Sequence, residues 1–297
     1  PLTPDPCSMS TPAEILLSVW LFAFGGAVGS FLNVVVYRLP LGMSLILPSS
    51  HCPACRHPIR WYDNVPIFGW MMLKGRCRDC GANISFRYPL VEAVTAVVFL
   101  VMGRAEWFSF GANLPVRPIP VAGGTDFFQL TPGEALGIVA YHALLLSTLL
   151  AAALIEYDGK RLPARLFRPA ILVGLAAPLL WPHLHPVPAL ARLSGAMAGL
   201  ADGAAGLAAG LVLGLAACLI IGPHDRRGLP FGLAMVGLFL GWQAAVALGL
   251  LVALVHAVVE ALRPWWPSLT RTSPGFWLFV ATWAWILEWE TLVRRIT

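Results

Sequence analysis

Charge is scarce in this 297-residue chain: Asp, Glu, Lys and Arg together make 12% of it, against 58% hydrophobic residues. That scarcity excludes most soluble classes, because repeated apolar runs are long enough to cross about 30 Å of hydrocarbon. The net charge of +5 is too small, and too concentrated beside apolar segments, for a nucleic-acid surface, and no nucleic-acid partner is expected. A Gly-rich Rossmann fingerprint is also missing, so the residues alone assign no cofactor of that kind. Cysteine is sparse, with six in all, and Cys7 and Cys218 have no neighbour at ligand spacing. Those two read as a terminal residue and a small apolar helix residue.

What is present is a series of apolar runs near 14–37, 89–103, 133–155, 168–182, 195–221, 230–261 and 275–292, bounded by Pro, Gly and clustered charge. These predict an all-α polytopic membrane protein with about seven transmembrane helices, or eight if the sixth run breaks near Gly241. The Gly-rich first run is kept as a helix of the protein rather than a cleaved signal. Arg38, Arg56, Arg60, Lys74, Arg76, Arg78 and Arg87 flank or fill the first connection. Lys160, Arg161, Arg165 and Arg168 fill the third, Arg226 and Arg227 the fifth, and Arg294 and Arg295 lie near residue 297. With seven crossings and an outside N-terminus, all of these fall on the cytoplasmic side of an inner membrane.

The first connection contains CPACRHPIRWYDNVPIFGWMMLKGRCRDC, residues 52–80. In a reducing compartment its four cysteines are not a disulfide framework. Two CxxC pairs can instead supply Cys52, Cys55, Cys77 and Cys80 to one tetrahedral zinc, with free or redox-active thiols as the alternative. A structural metal suits a segment of about 50 residues that is too small to bury much core. The expected organisation is an N-terminal segment and first helix (1–38), a cytoplasmic zinc-ribbon-like four-cysteine domain (39–88) and a multispanning membrane domain (89–297).

The run GGAVGSFLNVVVYRLP (25–40), followed by 52–96, resembles the N-terminal half of the bacterial prepilin peptidases, membrane-embedded aspartic peptidases of type IV pili and type II secretion. The resemblance rests on Gly29, Asn33, Arg38, Pro40, the four cysteines, Asn64-Val65-Pro66, and Arg87-Tyr88-Pro89 leading to Glu92. It implies cleavage of the leader of a prepilin or pseudopilin at the membrane. In many members, N-methylation of the new N-terminus with S-adenosylmethionine follows. The peptidase step uses two carboxylates, one ionised to activate water and one protonated to assist the carbonyl and the leaving amine.

The C-terminal half departs from the family pattern. Its first acidic motif, an Ile-Asp-x-Asp stretch, matches Ile155-Glu156-Tyr157-Asp158, so Glu156 takes the first aspartate's position and Asp158 is a flanking acid that can substitute as catalyst. The second motif, Gly-x-Gly-Asp-x-Lys, has two registers here. One puts Asp225 of GPHDRR (222–227) on the second catalytic acid. The other, gapless from GLFLGWQAA (237–245), puts Gly228-Leu229 on the Gly-Asp pair and leaves no acid. Besides an active peptidase, two readings stay open: a proteolytically inactive relative acting in substrate binding or assembly, and a zinc-bearing membrane scaffold.

Among polar residues inside the apolar runs, His142 reads as a hydrogen-bonding residue between helices, and His256 with Glu260 as an interfacial pair. Gly195, Gly199, Gly203, Gly206, Gly210 and Gly214 form a near-helical stripe that lets helices approach closely. Trp-rich ends form an aromatic belt, and 104–132 reads as an outside loop.

Overall fold

A computed structural model describes residues 11–109, 111–114, 118–121, 124–127, 131–181, 184, 196–220, 228–262, 264–265 and 273–296. The all-α expectation holds. Ten helices are described: α1 (Thr11–Arg38), α2 (Phe68–Met72), α3 (Arg87–Met102), α4 (Pro132–Tyr157), α5 (Arg168–Leu180), α6 (Ala196–Ile220), α7 (Leu229–Leu240), α8 (Trp242–Leu262), α9 (Pro274–Leu287) and α10 (Trp289–Ile296). Among the described residues the only strands are the antiparallel pair β1 (Pro118–Val121) and β2 (Gly124–Phe127), which fall where the sequence suggested a loop. Five helices are long and apolar enough to cross a membrane, and two shorter apolar ones, α7 and α9, join them.

Contacts divide the chain into two units, Pro1–Phe108 and Ser109–Thr297. In the first unit α1 and α3 pack along each other, and α3 runs on into one π-helical stretch, Gly103–Phe108. Their close approach depends on missing side chains. A methyl group at Gly29 would stand 2.7 Å from the Glu92 Cα, and one at Gly25 would stand 2.7 Å from the Phe99 Cβ. Small residues at such crossings let backbones meet where lipid supplies no hydrophobic drive between helices.

In the second unit α4 and α7 form the interior. The apolar window of α4 is 78% buried, whereas that of α8 is 22% buried and faces outward. Every residue of α7 except Phe231 is buried, as expected of a helix that is apolar all round. α4 starts on a capping box, with Thr131 accepting from the Glu134 N–H and the Glu134 carboxylate accepting from the Thr131 N–H. Gly241, at φ 90°, separates α7 from α8 where the sequence allowed a break in the sixth run. The glycine stripe on α6 meets α7: methyl groups at Gly206, Gly210 and Gly214 would run into the backbones of Gly237, Leu233 and Pro230. Gly199 faces Pro178 of α5 instead; Gly195 lies outside the described residues. The last predicted run, 275–292, is two helices, α9 and α10, parted at Glu288.

Candidate functional site

Two constellations are candidates for chemistry, one in each unit. The first is built by two similar turns. Cys52 N–H donates to the His57 carbonyl and Arg56 N–H to the Cys52 carbonyl. Cys77 N–H donates to Ala82 and Gly81 N–H to Cys77 in the same pattern. Arg56 (φ 60°) and Gly81 (φ 72°) occupy the left-handed position that closes each turn. The turns bring all four sulfurs within 4.8 Å of one another. Cys52 Sγ to Cys80 Sγ is 3.8 Å and Cys55 Sγ to Cys77 Sγ is 4.0 Å. A tetrahedral zinc with Zn–S near 2.3 Å has sulfurs about 3.8 Å apart, and a disulfide would need about 2.05 Å.

Charge argues the same way. Backbone N–H groups of Cys55 and Ala54 pull the Cys52 thiol down to about 6. The His57 N–H pulls on Cys55 too, but burial and the sulfurs of Cys80, Cys52 and Cys77 outweigh it and push that thiol up to about 12. Four sulfurs this close cannot all ionise without a cation among them. Between residues 40 and 86 only Cys52, Gly69 and Gly75 are buried, so the segment has almost no core to hold it. Its other braces are ionic: Arg60 pairs with Asp79 at 2.9 Å, and Arg78 pairs with Asp63 while lying 5.5 Å from the Tyr62 ring. The Arg78 guanidinium holds the Asp63 carboxyl below the usual range.

The motif residues around this segment tie it to α1 and α3. The Asn33 amide donates to the Tyr88 carbonyl at 3.1 Å, and the buried Arg38 guanidinium donates to the Ser44 carbonyl at 3.1 Å. Glu92 Oε2 accepts from the Ile67 N–H at 2.7 Å. Pattern matching singled out Asn33, Arg38 and Glu92, but not Ile67, whose part is played by its backbone.

The second constellation centres on Glu156, in the last turn of α4. Its carboxylate lies against the glycines that open two other helices, Gly228 at the N-cap of α7 and Gly275 in the first turn of α9. A methyl group at Gly228 would stand 2.8 Å from Glu156 Oε2, and one at Gly275 would stand 3.6 Å from its Cδ. Helix N-termini carry partial positive charge, so the two first turns favour an anion at this point. Asp158 caps α4 and pairs with Lys160 at 3.4 Å. Asp225 lies outside the described residues. Sequence reasoning missed Gly275; the Ser-Pro-Gly start of α9, where Ser273 accepts from the Phe276 N–H, was the available signal.

Residues 23–105 match the bacterial peptidase A24 N-terminal domain. The prepilin leader peptidase/N-methyltransferase of Klebsiella pneumoniae is 36% identical, over 76% of this chain and 86% of its own length. That of Aeromonas salmonicida is 32% identical over 92% of this chain and 91% of its own. The chain belongs to the prepilin leader peptidase family. The Myxococcus xanthus member is 34% identical over 83% of this chain, which spans 63% of that relative's length. No solved structure matches the chain. The matched domain, residues 23–105, contains all four clustered cysteines, whereas Glu156 lies beyond it.

Proposed function

We propose that this protein is a membrane-embedded leader peptidase of the inner membrane, acting on type IV prepilins or pseudopilins, with Glu156 as one of two working carboxylates. The observation that carries this reading is the Glu156 carboxylate against the opening turns of α7 and α9. There a carboxylate end is held by three helices, so its position does not depend on a mobile side chain alone. Asp225 supplies the second acid: it precedes Gly228 by three residues, and three residues of chain span at most about 10 Å. One carboxylate, ionised, takes a proton from water; its protonated partner donates to the carbonyl and then to the leaving amine. Asp158 assists as a flanking acid. Cys52, Cys55, Cys77 and Cys80 hold a structural zinc that orders a cytoplasmic domain over 39–88, between the segment 1–38 and the membrane domain 89–297. Methylation of the new N-terminus with S-adenosylmethionine belongs to the same reading, on the strength of the relatives' names.

A specific contact favours a second reading. One of the two glycines touching the Glu156 carboxylate is Gly228, and the residue after it is the buried Leu229, the pair that the gapless register sets on the family's Gly-Asp. In that case the second acid is absent, and the protein binds prepilins without cutting them. Co-expression with prepilins from its own genome decides. Cleavage by the wild type, abolished by Glu156→Gln and by Asp225→Asn at unchanged membrane levels, supports the peptidase. Cleavage that survives Glu156→Gln combined with Asp158→Asn rejects the proposed first carboxylate, and no cleavage by the wild type moves the reading to the binding protein.

A further inference from the structure

The segment between the two cysteine pairs does not stay at the end of the helices. Asn33 and Tyr88 are joined by a hydrogen bond, so the level where α3 begins at Arg87 is also the level of Asn33 on α1. Ile67 donates its N–H to Glu92, five residues inside Arg87, which is about 7 Å along the helix axis. Pro66 reaches further: a methyl group at Gly26 would stand 3.3 Å from the Pro66 Cβ. Gly26 is seven residues inside Asn33, about 10 Å. From this low point the chain climbs through α2 until the Trp70 indole donates to the Ile84 carbonyl at 2.9 Å and packs edge-on against Phe86.

The turn at the bottom is built for that depth. Ile67 has φ 65° and ψ −56°, and the Phe68 N–H closes onto the Pro66 carbonyl at 2.6 Å, a γ-turn of the strained hand on a β-branched residue. Irregular backbone at membrane depth needs every polar group satisfied by protein, and the Glu92 carboxylate satisfies the Ile67 N–H. The exposed side chains of α2 are all apolar: Phe68 is 56% exposed, Met71 59% and Met72 76%. Lys74 and Arg76 follow α2 in the sequence.

We infer that residues 65–72 form a re-entrant turn immersed in the bilayer leaflet beside α1 and α3, with Phe68, Met71 and Met72 against lipid acyl chains and Glu92 as its positioning residue. The occupant is lipid rather than protein because Pro66 and Ile67, which lead directly into this bare face, contact Gly26 and Glu92 within the membrane-crossing segments of α1 and α3. Lys74 and Arg76 sit where anionic headgroups end. The zinc module is thereby anchored to the membrane at a point between its two cysteine pairs.

The test uses the full, zinc-loaded chain in nanodiscs of phosphatidylethanolamine and phosphatidylglycerol, with a benzophenone amino acid placed at Met72 or, as control, at the exposed Asn83. After irradiation, intact-mass spectrometry is expected to show phospholipid adducts at Met72, attached through the acyl chain, at least fivefold above those at Asn83. Glu92→Ala should lower the Met72 adduct several-fold with zinc content unchanged, and Glu92→Gln should restore it, because the amide oxygen still accepts from the Ile67 N–H. Crosslinks from Met72 to protein only, adducts no higher than at Asn83, or a yield indifferent to Glu92→Ala would each overturn the inference.

Discussion

At the scale of single residues, the cysteine turns show how little backbone freedom the four-sulfur cluster leaves. Arg56 and Gly81 do the same job at φ 60° and 72°, but only the glycine does so without a Cβ. Holding an L-residue in that region costs about 1 kcal/mol. Arg56→Gly is therefore expected to keep one zinc per chain and to raise the chelator concentration needed to remove it. Cys52→Ser is expected to lose the zinc and, with it, the order of residues 40–86, whose only buried side chain is Cys52. Elemental analysis and chelator titration check both; wild-type protein without metal, or Cys52→Ser with full zinc, would refute the assignment. The clustering of Cys52, Cys55, Cys77 and Cys80 was legible in the sequence because CxxC spacing is local. Motif matching singled out Glu156 but not its contact with Gly275, since a packing contact between helices so far apart in sequence leaves no pattern in either. The Ile67 turn was hidden for another reason: its function lies in a backbone N–H that any residue but proline has.

At the scale of elements, apolar length and helix punctuation carried the reading well. The runs near 14–37, 133–155 and 195–221 correspond to α1, α4 and α6 within a few residues at each end. Gly241 marked its own break because glycine alone tolerates φ 90° there. The break at Glu288 had no Gly or Pro to announce it, and α10 follows as a short helix with Glu290, Arg294 and Arg295. Which face of a helix meets which neighbour was only partly legible. The stripe on α6 signalled close packing without naming α7 as the partner. That contact makes a testable contrast between two glycines. Gly206→Ala puts a methyl into the Gly237 backbone, where neither side can yield, and should destabilise by about 1–3 kcal/mol. Gly133→Ala, in the first turn of α4 with nothing within 4 Å, should stabilise by up to about 1 kcal/mol. Thermal unfolding in detergent reads both; equal shifts would show that α6 and α7 are not in backbone contact.

At the scale of the whole molecule, if Glu156 is one of two working carboxylates, activity turns on which residue faces it. Geometry makes Leu229 the sharper probe. It is the first residue of α7, it is 3% exposed, and it follows the glycine that touches the Glu156 carboxylate. An aspartate there would lie in a helix's first turn, where negative charge is favoured, one residue from the glycine that touches the Glu156 carboxylate. If the gapless register is right, Leu229→Asp should create or raise prepilin cleavage at least tenfold, equivalent to about 1.4 kcal/mol of transition-state stabilisation. Glu156→Gln should then abolish the gain, while Asp225→Asn leaves it untouched. If Asp225 is the second acid, the outcome inverts. A third carboxyl buried beside Glu156 then costs folding energy without adding chemistry, so Leu229→Asp should lower both membrane yield and cleavage, and Asp225→Asn should silence the wild-type enzyme. Cleavage assays on those variants, normalised to protein in the membrane, separate the two registers.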